Sequence, residues 1–207
     1  MARNVTTLCF SRRFVPAEVL EAFLQQTPRL STLIYDCRSV CTGALPLSIL
    51  RQGLNHIQDS LTTLVVRYGN YVDAFLDTEP FVGVIDGSLG SLRKFSSLTN
   101  LKIPLAVLYG RDTPPSDALP LVEMLPLNLE HLTIPNGSWN DEAFILHHMR
   151  PFLAGLCRTA TPHLQEFVLD SSDSYWVKPG SGPSYNPEID LGDLCKRQGL
   201  KFTHRRG

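Results

Sequence analysis

An apolar triplet of the form Leu-x-x-Leu-x-Φ, with Φ a large apolar residue, recurs along this chain. It reads Val5-Leu8-Phe10, Leu30-Leu33-Tyr35, Leu61-Leu64-Val66, Leu98-Leu101-Ile103, Leu129-Leu132-Ile134, Leu164-Phe167-Leu169 and, in degenerate form, Arg197-Leu200-Phe202. First positions are 25, 31, 37, 31, 35 and 33 residues apart. Twenty of the 21 triplet positions are apolar, whereas a chain that is 43% hydrophobic would match at about nine. A motif repeating at this interval is the mark of a solenoid whose units each add one strand and one helix.

The segments between triplets carry helical periodicity, as such a unit requires. In the first, Val19, Leu20, Phe23 and Leu24 follow Pro16, a residue suited to the first helical position because its missing N–H would have no intrahelical partner there. In the second, Leu47, Leu50, Leu54 and Ile57 share one helical face behind Pro46. The third offers Leu89, Leu92 and Phe95; the fourth is a short run from Leu119 to Leu125 opened by Pro120. The fifth runs from Asp141 to Met149 and from Pro151 to Cys157, and Pro151 predicts a kink or two short helices. The sixth spans Ile189 to Arg197 with Asp190 as its expected N-cap.

Strands joined through helices run parallel, and such crossovers are right-handed. The sequence therefore predicts an α/β fold: a right-handed solenoid of about seven parallel strands in sequential order. Strands would line the concave face and helices the convex one. The triplets span Val5 to Phe202, so residues 1–207 read as one domain with insertions at about 68–86 and 170–187.

Bulk properties narrow the role. The formal net charge is −1 and charged residues make up 19%, with no basic stripe, which argues against nucleic acid or a membrane surface as partner. No run approaches the roughly 20 apolar residues of a membrane span, and the first fifteen residues lack an apolar signal core. Five scattered cysteines, Cys9, Cys37, Cys41, Cys157 and Cys195, do not form a disulfide framework and point to cytoplasm or nucleus. The sequons at Asn4 and Asn136 are accordingly not expected to be used.

Phrases such as Pro28-Arg-Leu-Ser-Thr-Leu, Asn128-Leu-Glu-His-Leu-Thr-Ile and Pro162-His-Leu-Gln-Glu-Phe-Val-Leu resemble leucine-rich repeats, and are most similar to the irregular repeats of fungal F-box proteins. The resemblance covers nearly the whole chain and encodes packing only. It implies the substrate-binding arm of a ubiquitin ligase, held to an adaptor by an F-box. No F-box-like segment precedes Val5, so adaptor binding is carried over to no residue here. The asparagine that follows the strand in regular repeats is replaced by Ser11, Asp36, Arg67, Pro104, Pro135, Asp170 and Thr203, so no asparagine ladder is expected. The first repeat also opens without a capping element, which predicts a truncated form or self-association through that end.

Residues flanking the second and third triplet positions would face a partner across the concave surface: Ile34, Asp36, Val65, Arg67, Lys102 and His131. Loops leaving the strands would add Tyr68, Tyr109, Arg111, Tyr175 and Trp176 at one edge, residue types that dominate interface hot spots. Trp139 is expected to tuck back onto the core instead. No nucleophile elbow, phosphate-cradling glycine loop, zinc-protease helix or Cys-x-x-Cys pair occurs, and no catalytic, cofactor or metal residue is assigned. Cys157 and His163 could approach each other across a helix–strand turn but lack an orienting carboxylate. His147 and His148, adjacent on one helix, read as surface or capping residues. The leading reading is a non-catalytic protein-interaction scaffold. The alternative is a doubly wound α/β domain with an enzymatic or small-ligand crevice, which would reverse strand order and cover both sheet faces.

Overall fold

The strand segments of the triplets do lie side by side. A computed structural model describes residues 4–10, 15–36, 45–68, 85–110, 118–135, 145–171 and 187–206. Its strands are β1 (Thr7–Phe10), β2 (Thr32–Asp36), β3 (Leu45–Pro46), β4 (Thr63–Arg67), β5 (Ile85–Asp86), β6 (Asn100–Lys102), β7 (His131–Pro135), β8 (Glu166–Ser171) and β9 (Lys201–Arg206). Seven of them form one all-parallel sheet in the order β1-β2-β4-β6-β7-β8-β9, while β3 and β5 pair separately. The order never reverses, so the sheet lacks the switch point of a doubly wound fold.

Register follows the triplets. In the first six, the second positions Leu8, Leu33, Leu64, Leu101, Leu132 and Phe167 are direct neighbours across the sheet; the seventh departs by two residues, since Phe167 pairs with Phe202, its third position, and not with Leu200. Because side chains alternate along a strand, this row and the third triplet positions share one face. In the five interior triplets every residue is 2% exposed or less. They share one hydrophobic cluster with Leu20 and Leu24, with Leu47, Leu50 and Leu54, and with Leu191 and Cys195. Burying each such side chain is worth roughly 1.5–3 kcal/mol.

A second ladder tightens the entry to each strand. One carbonyl in each repeat accepts two successive N–H groups of the next: Thr6 from Ser31 and Thr32, Ser31 from Thr62 and Thr63, Thr62 from Thr99 and Asn100, Thr99 from Glu130 and His131. Hydroxyls reinforce it, with Ser31 Oγ donating to Thr6 O at 3.0 Å and Thr62 Oγ1 to Ser31 O at 2.9 Å. This Ser/Thr ladder supplies side-chain bonds between successive strand entries.

Four helices begin directly after a proline: α1 (Ala17–Gln26) after Pro16, α2 (Leu47–Asn55) after Pro46, α3 (Leu105–Tyr109) after Pro104 and α4 (Leu121–Met124) after Pro120. The ring fixes φ near the helical value, and the proline carbonyl accepts an early helical N–H, as Pro16 O does from Leu20 at 3.0 Å. Proline therefore stands one position earlier than expected, as the cap itself. Two π-helical stretches, Ile145–Met149 and Phe152–Leu156, run into α5 (Cys157–Ala160). Pro151 between them keeps helical angles, φ −60° and ψ −39°. The expected break is instead a change of pitch, since wider turns accommodate a residue that cannot donate.

Two expectations about helices need correction. Leu89, Leu92 and Phe95 are buried, yet residues 87–99 form turns. Gly87 and Gly90 hold positive φ there, and Leu89 N–H bonds to Val107 O across the chain. A spacing of three residues serves successive turns as well as a helix. Asp190 is not the N-cap, because α6 (Pro187–Arg197) begins three residues before it. Asp190 instead holds Arg150 at 3.0 Å.

Candidate protein-binding face

Alternation that buries the triplets on one sheet face sends the residues between them to the other. On that second face Ile34, Val65 and Lys102 are neighbours in one row, which continues through Thr133, Val168 and Thr203. Ile34, Val65, Lys102 and Thr133 are each half-buried, against full burial of the triplets beside them. One side of the sheet is thus packed and the other open to contact.

Charges on the open face come in cross-strand groups. Arg67 lies opposite Asp36 in register, its Nη1 3.6 Å from the carboxylate. Lys102 Nζ reaches from β6 past β7 to Asp170 Oδ2 on β8, at 2.5 Å. His131, Glu166 and Lys201 follow one another across β7, β8 and β9. Glu166 is 3.4 Å from His131 Nδ1 and 2.7 Å from Lys201 Nζ. The hydrogen bond from Lys201 holds the Glu166 carboxyl below the usual carboxylate range, with the charge of Lys201 and the contact to His131 adding to it. Among the described residues, Arg67, Lys102, His131 and Lys201 each lie within 4 Å of a carboxylate of the same face.

The expected contact residues divide. Ile34, Val65, Arg67, Lys102 and His131 lie on the open face, and Tyr68 borders it half-buried against the core cluster. Asp36 lies on that face but is only 3% exposed, so it acts through Arg67 and offers little of itself. Tyr109 must be withdrawn as a contact: it ends α3, is 4% exposed and stacks on His148 with ring centroids 4.5 Å apart. Pro104 suggests only the end of a strand, and so hides the short helix that carries Tyr109 inward. Arg111, Tyr175 and Trp176, like Trp139, Cys37, Cys41 and most of both insertions, lie outside the described residues.

Sequence reasoning overlooked Lys201, which sits in the degenerate seventh repeat. The triplet spacing of 33 residues would set Gly199 opposite Glu166, and only the observed register brings Lys201 there. It also missed a recurring punctuation mark, Thr27-Pro28-Arg29-Leu30 and Thr161-Pro162-His163-Leu164. Thr27 Oγ1 donates to Phe23 O at 3.0 Å and Thr161 Oγ1 to Cys157 O at 2.9 Å, and each closes the helix before its strand.

Burial separates the members of two neighbouring pairs. Cys157 is buried and His163 exposed. Burial pushes the Cys157 thiol up, and pushes that of Cys195 up to about 12 with help from Cys157, which disfavours the reactive thiolate. His148 is buried, not a surface residue, while His147 is exposed. Among the described residues no cluster of His, Cys, Asp or Glu could hold a metal ion, and no helix is long and apolar enough to cross a membrane.

No protein-family model matches the chain, and neither a curated protein nor a solved structure matches it.

Proposed function

We propose that the chain is a right-handed leucine-rich-repeat solenoid that binds another protein on the open face of its sheet, without catalysis. The observation that carries this reading is the one-sided sheet. Seven parallel strands in sequential order bury the five interior triplets on one face and leave Ile34, Val65, Lys102 and Thr133 half-buried on the other. At the centre of that face the apolar Ile34 and Val65 lie beside Arg67 and Lys102, whose carboxylate partners are already within the fold. Apolar contacts flanked by compensated charge suit a protein surface, where aromatic and arginine anchors dominate the energy.

The narrower role, the substrate-recognition arm of an F-box-type ubiquitin ligase in cytoplasm or nucleus, rests on the resemblance of the repeat phrases and on the cysteine scatter. A photo-crosslinking residue at Val65, introduced into the full-length gene product in cells, tests the site and the role together. The expected result is a discrete protein adduct that Ile34→Asp abolishes and Gln52→Glu, on the exposed side of α2, leaves intact. Co-purification of a ligase adaptor supports the narrower role. Labelling that is diffuse, or that survives Ile34→Asp, overturns the binding face.

A further inference from the structure

We propose that the open face takes an acidic, extended segment of its protein partner, with an apolar side chain on Ile34 and Val65 and carboxylates over Lys102, Lys201 and Arg205. The inference rests on the open face being the binding face and adds the chemistry of what binds there. Its starting point is the order of each charge group from outside to inside. The side chains of Arg67, Lys102, His131 and Lys201 are 39%, 16%, 42% and 72% exposed. Their carboxylate partners Asp36, Asp170 and Glu166 are only 4%, 3% and 22% exposed. In every contact the basic group is the outer member.

That order decides what an incoming chain meets. A carboxylate only accepts hydrogen bonds and an ammonium only donates them. The acceptors of this face are used from within: Glu166 is contacted by Lys201 Nζ at 2.7 Å, by His131 Nδ1 at 3.4 Å and by Thr203 Oγ1 at 3.4 Å. Lys201 has three N–H donors to offer, and most of its side chain is in solvent. Arg205, in register with Asp170 on the same face, is exposed as well. A partner therefore meets donors, and carboxylates give ammonium and guanidinium groups their strongest hydrogen bonds. The carboxylates beneath also hold the cations in place before binding, so less side-chain freedom is lost on contact.

The rest of the face limits how much charge the segment carries. On β1, β2 and β4 the two rows facing outward are Thr7, Thr32 and Thr63, then Cys9, Ile34 and Val65, all uncharged. Lys102, Lys201 and Arg205 stand on β6 and β9. A polyanion charged along its whole length would set phosphates on Ile34 and Val65 and strip their water against apolar groups. A mixed segment sets an apolar side chain there. From β2 to β9 are five strand spacings, roughly 24 Å, which about seven extended residues cover.

Selection of displayed random peptides of about twelve residues, longer than this span requires, on the full chain tests the proposal. The expected result is convergence on sequences rich in Asp and Glu beside an apolar residue. Synthesised, these should bind at least about tenfold more weakly to Lys201→Glu and to Ile34→Asp, and within about twofold of the parent to Lys201→Arg. Lys94→Glu, the same charge change on an exposed turn of the covering layer, should have no effect. Raising salt from about 50 to about 500 mM should weaken binding severalfold. Convergence on neutral or basic sequences that Ile34→Asp still blocks overturns the acidic partner and leaves the binding face standing. So does equal affinity for a single-stranded oligonucleotide. Selected peptides indifferent to Ile34→Asp, or a selection that converges on nothing, overturn both.

Discussion

Lys102 and Asp170 are 68 residues apart in sequence and two strands apart in the sheet, yet the ammonium lies 2.5 Å from the carboxylate. Asp170 is 2% exposed, and the lysine side chain 16%. Lys102→Met should therefore cost about 2–4 kcal/mol in urea unfolding, because it takes this cation away from a buried carboxylate. The double variant with Asp170→Asn should recover part of that loss. Equal stability of the single and double variants would mean that the pair contributes little.

Gly110 ends α3 at φ 88° and ψ 152°, a conformation that side chains resist. A Cβ there would lie 2.8 Å from the Gly87 carbonyl oxygen, which belongs to backbone and has little room to move. Gly110→Ala should destabilise by at least about 2 kcal/mol. Gly155 is the opposite case: it is helical, and a Cβ placed on it would meet nothing within 4 Å. Gly155→Ala should stabilise by about 0.5–1 kcal/mol. Thermal unfolding of the two variants should move in opposite directions.

Burial lowers the pKa of His148 from 6.5 to about 4, and the neighbouring His147 adds to the effect. The unfolded chain then takes up a proton below about pH 6.5 that the folded chain refuses until about pH 4. Stability is thus full above that window and falls as pH drops through it, by roughly 3 kcal/mol at 1.36 kcal/mol per pKa unit. Glu166 acts lower on the scale. Its folded pKa is depressed, so its contribution is present above about 4.5 and is lost as pH falls through the lowered value. Unfolding curves collected across this range should lose most of the slope between pH 4 and 6.5 in His148→Phe, whose ring can still stack on Tyr109. A slope unchanged by that substitution would assign the acid sensitivity elsewhere.

The strands were legible because each buried triplet has to repeat both its apolar residues and their period of two. Leu33, Leu64, Leu101 and Leu132 align in space as they do in sequence. The connections were less legible. A residue every third position fits a helix and a chain of turns equally, so residues 89–95 misled, while the single turn of α3 hid behind Pro104. Tyr109 illustrates the cost: an aromatic before Gly-Arg-Asp reads as a loop, and only the helix that ends on it turns the ring inward. Alternation along the strands placed Ile34, Val65, Lys102 and His131 on one sheet face, but the answering of its charges was not legible.

By itself the sequence determined the direction and order of the main-sheet strands and the alignment of the first six, because a repeated apolar pattern restricts which faces can be hidden from water. Tertiary structure alone decided which charges meet and which of two adjacent histidines is buried. Those outcomes depend on contacts between residues tens of positions apart. Distance across neighbouring strands and the packing around each group set them, and neither is written in local order.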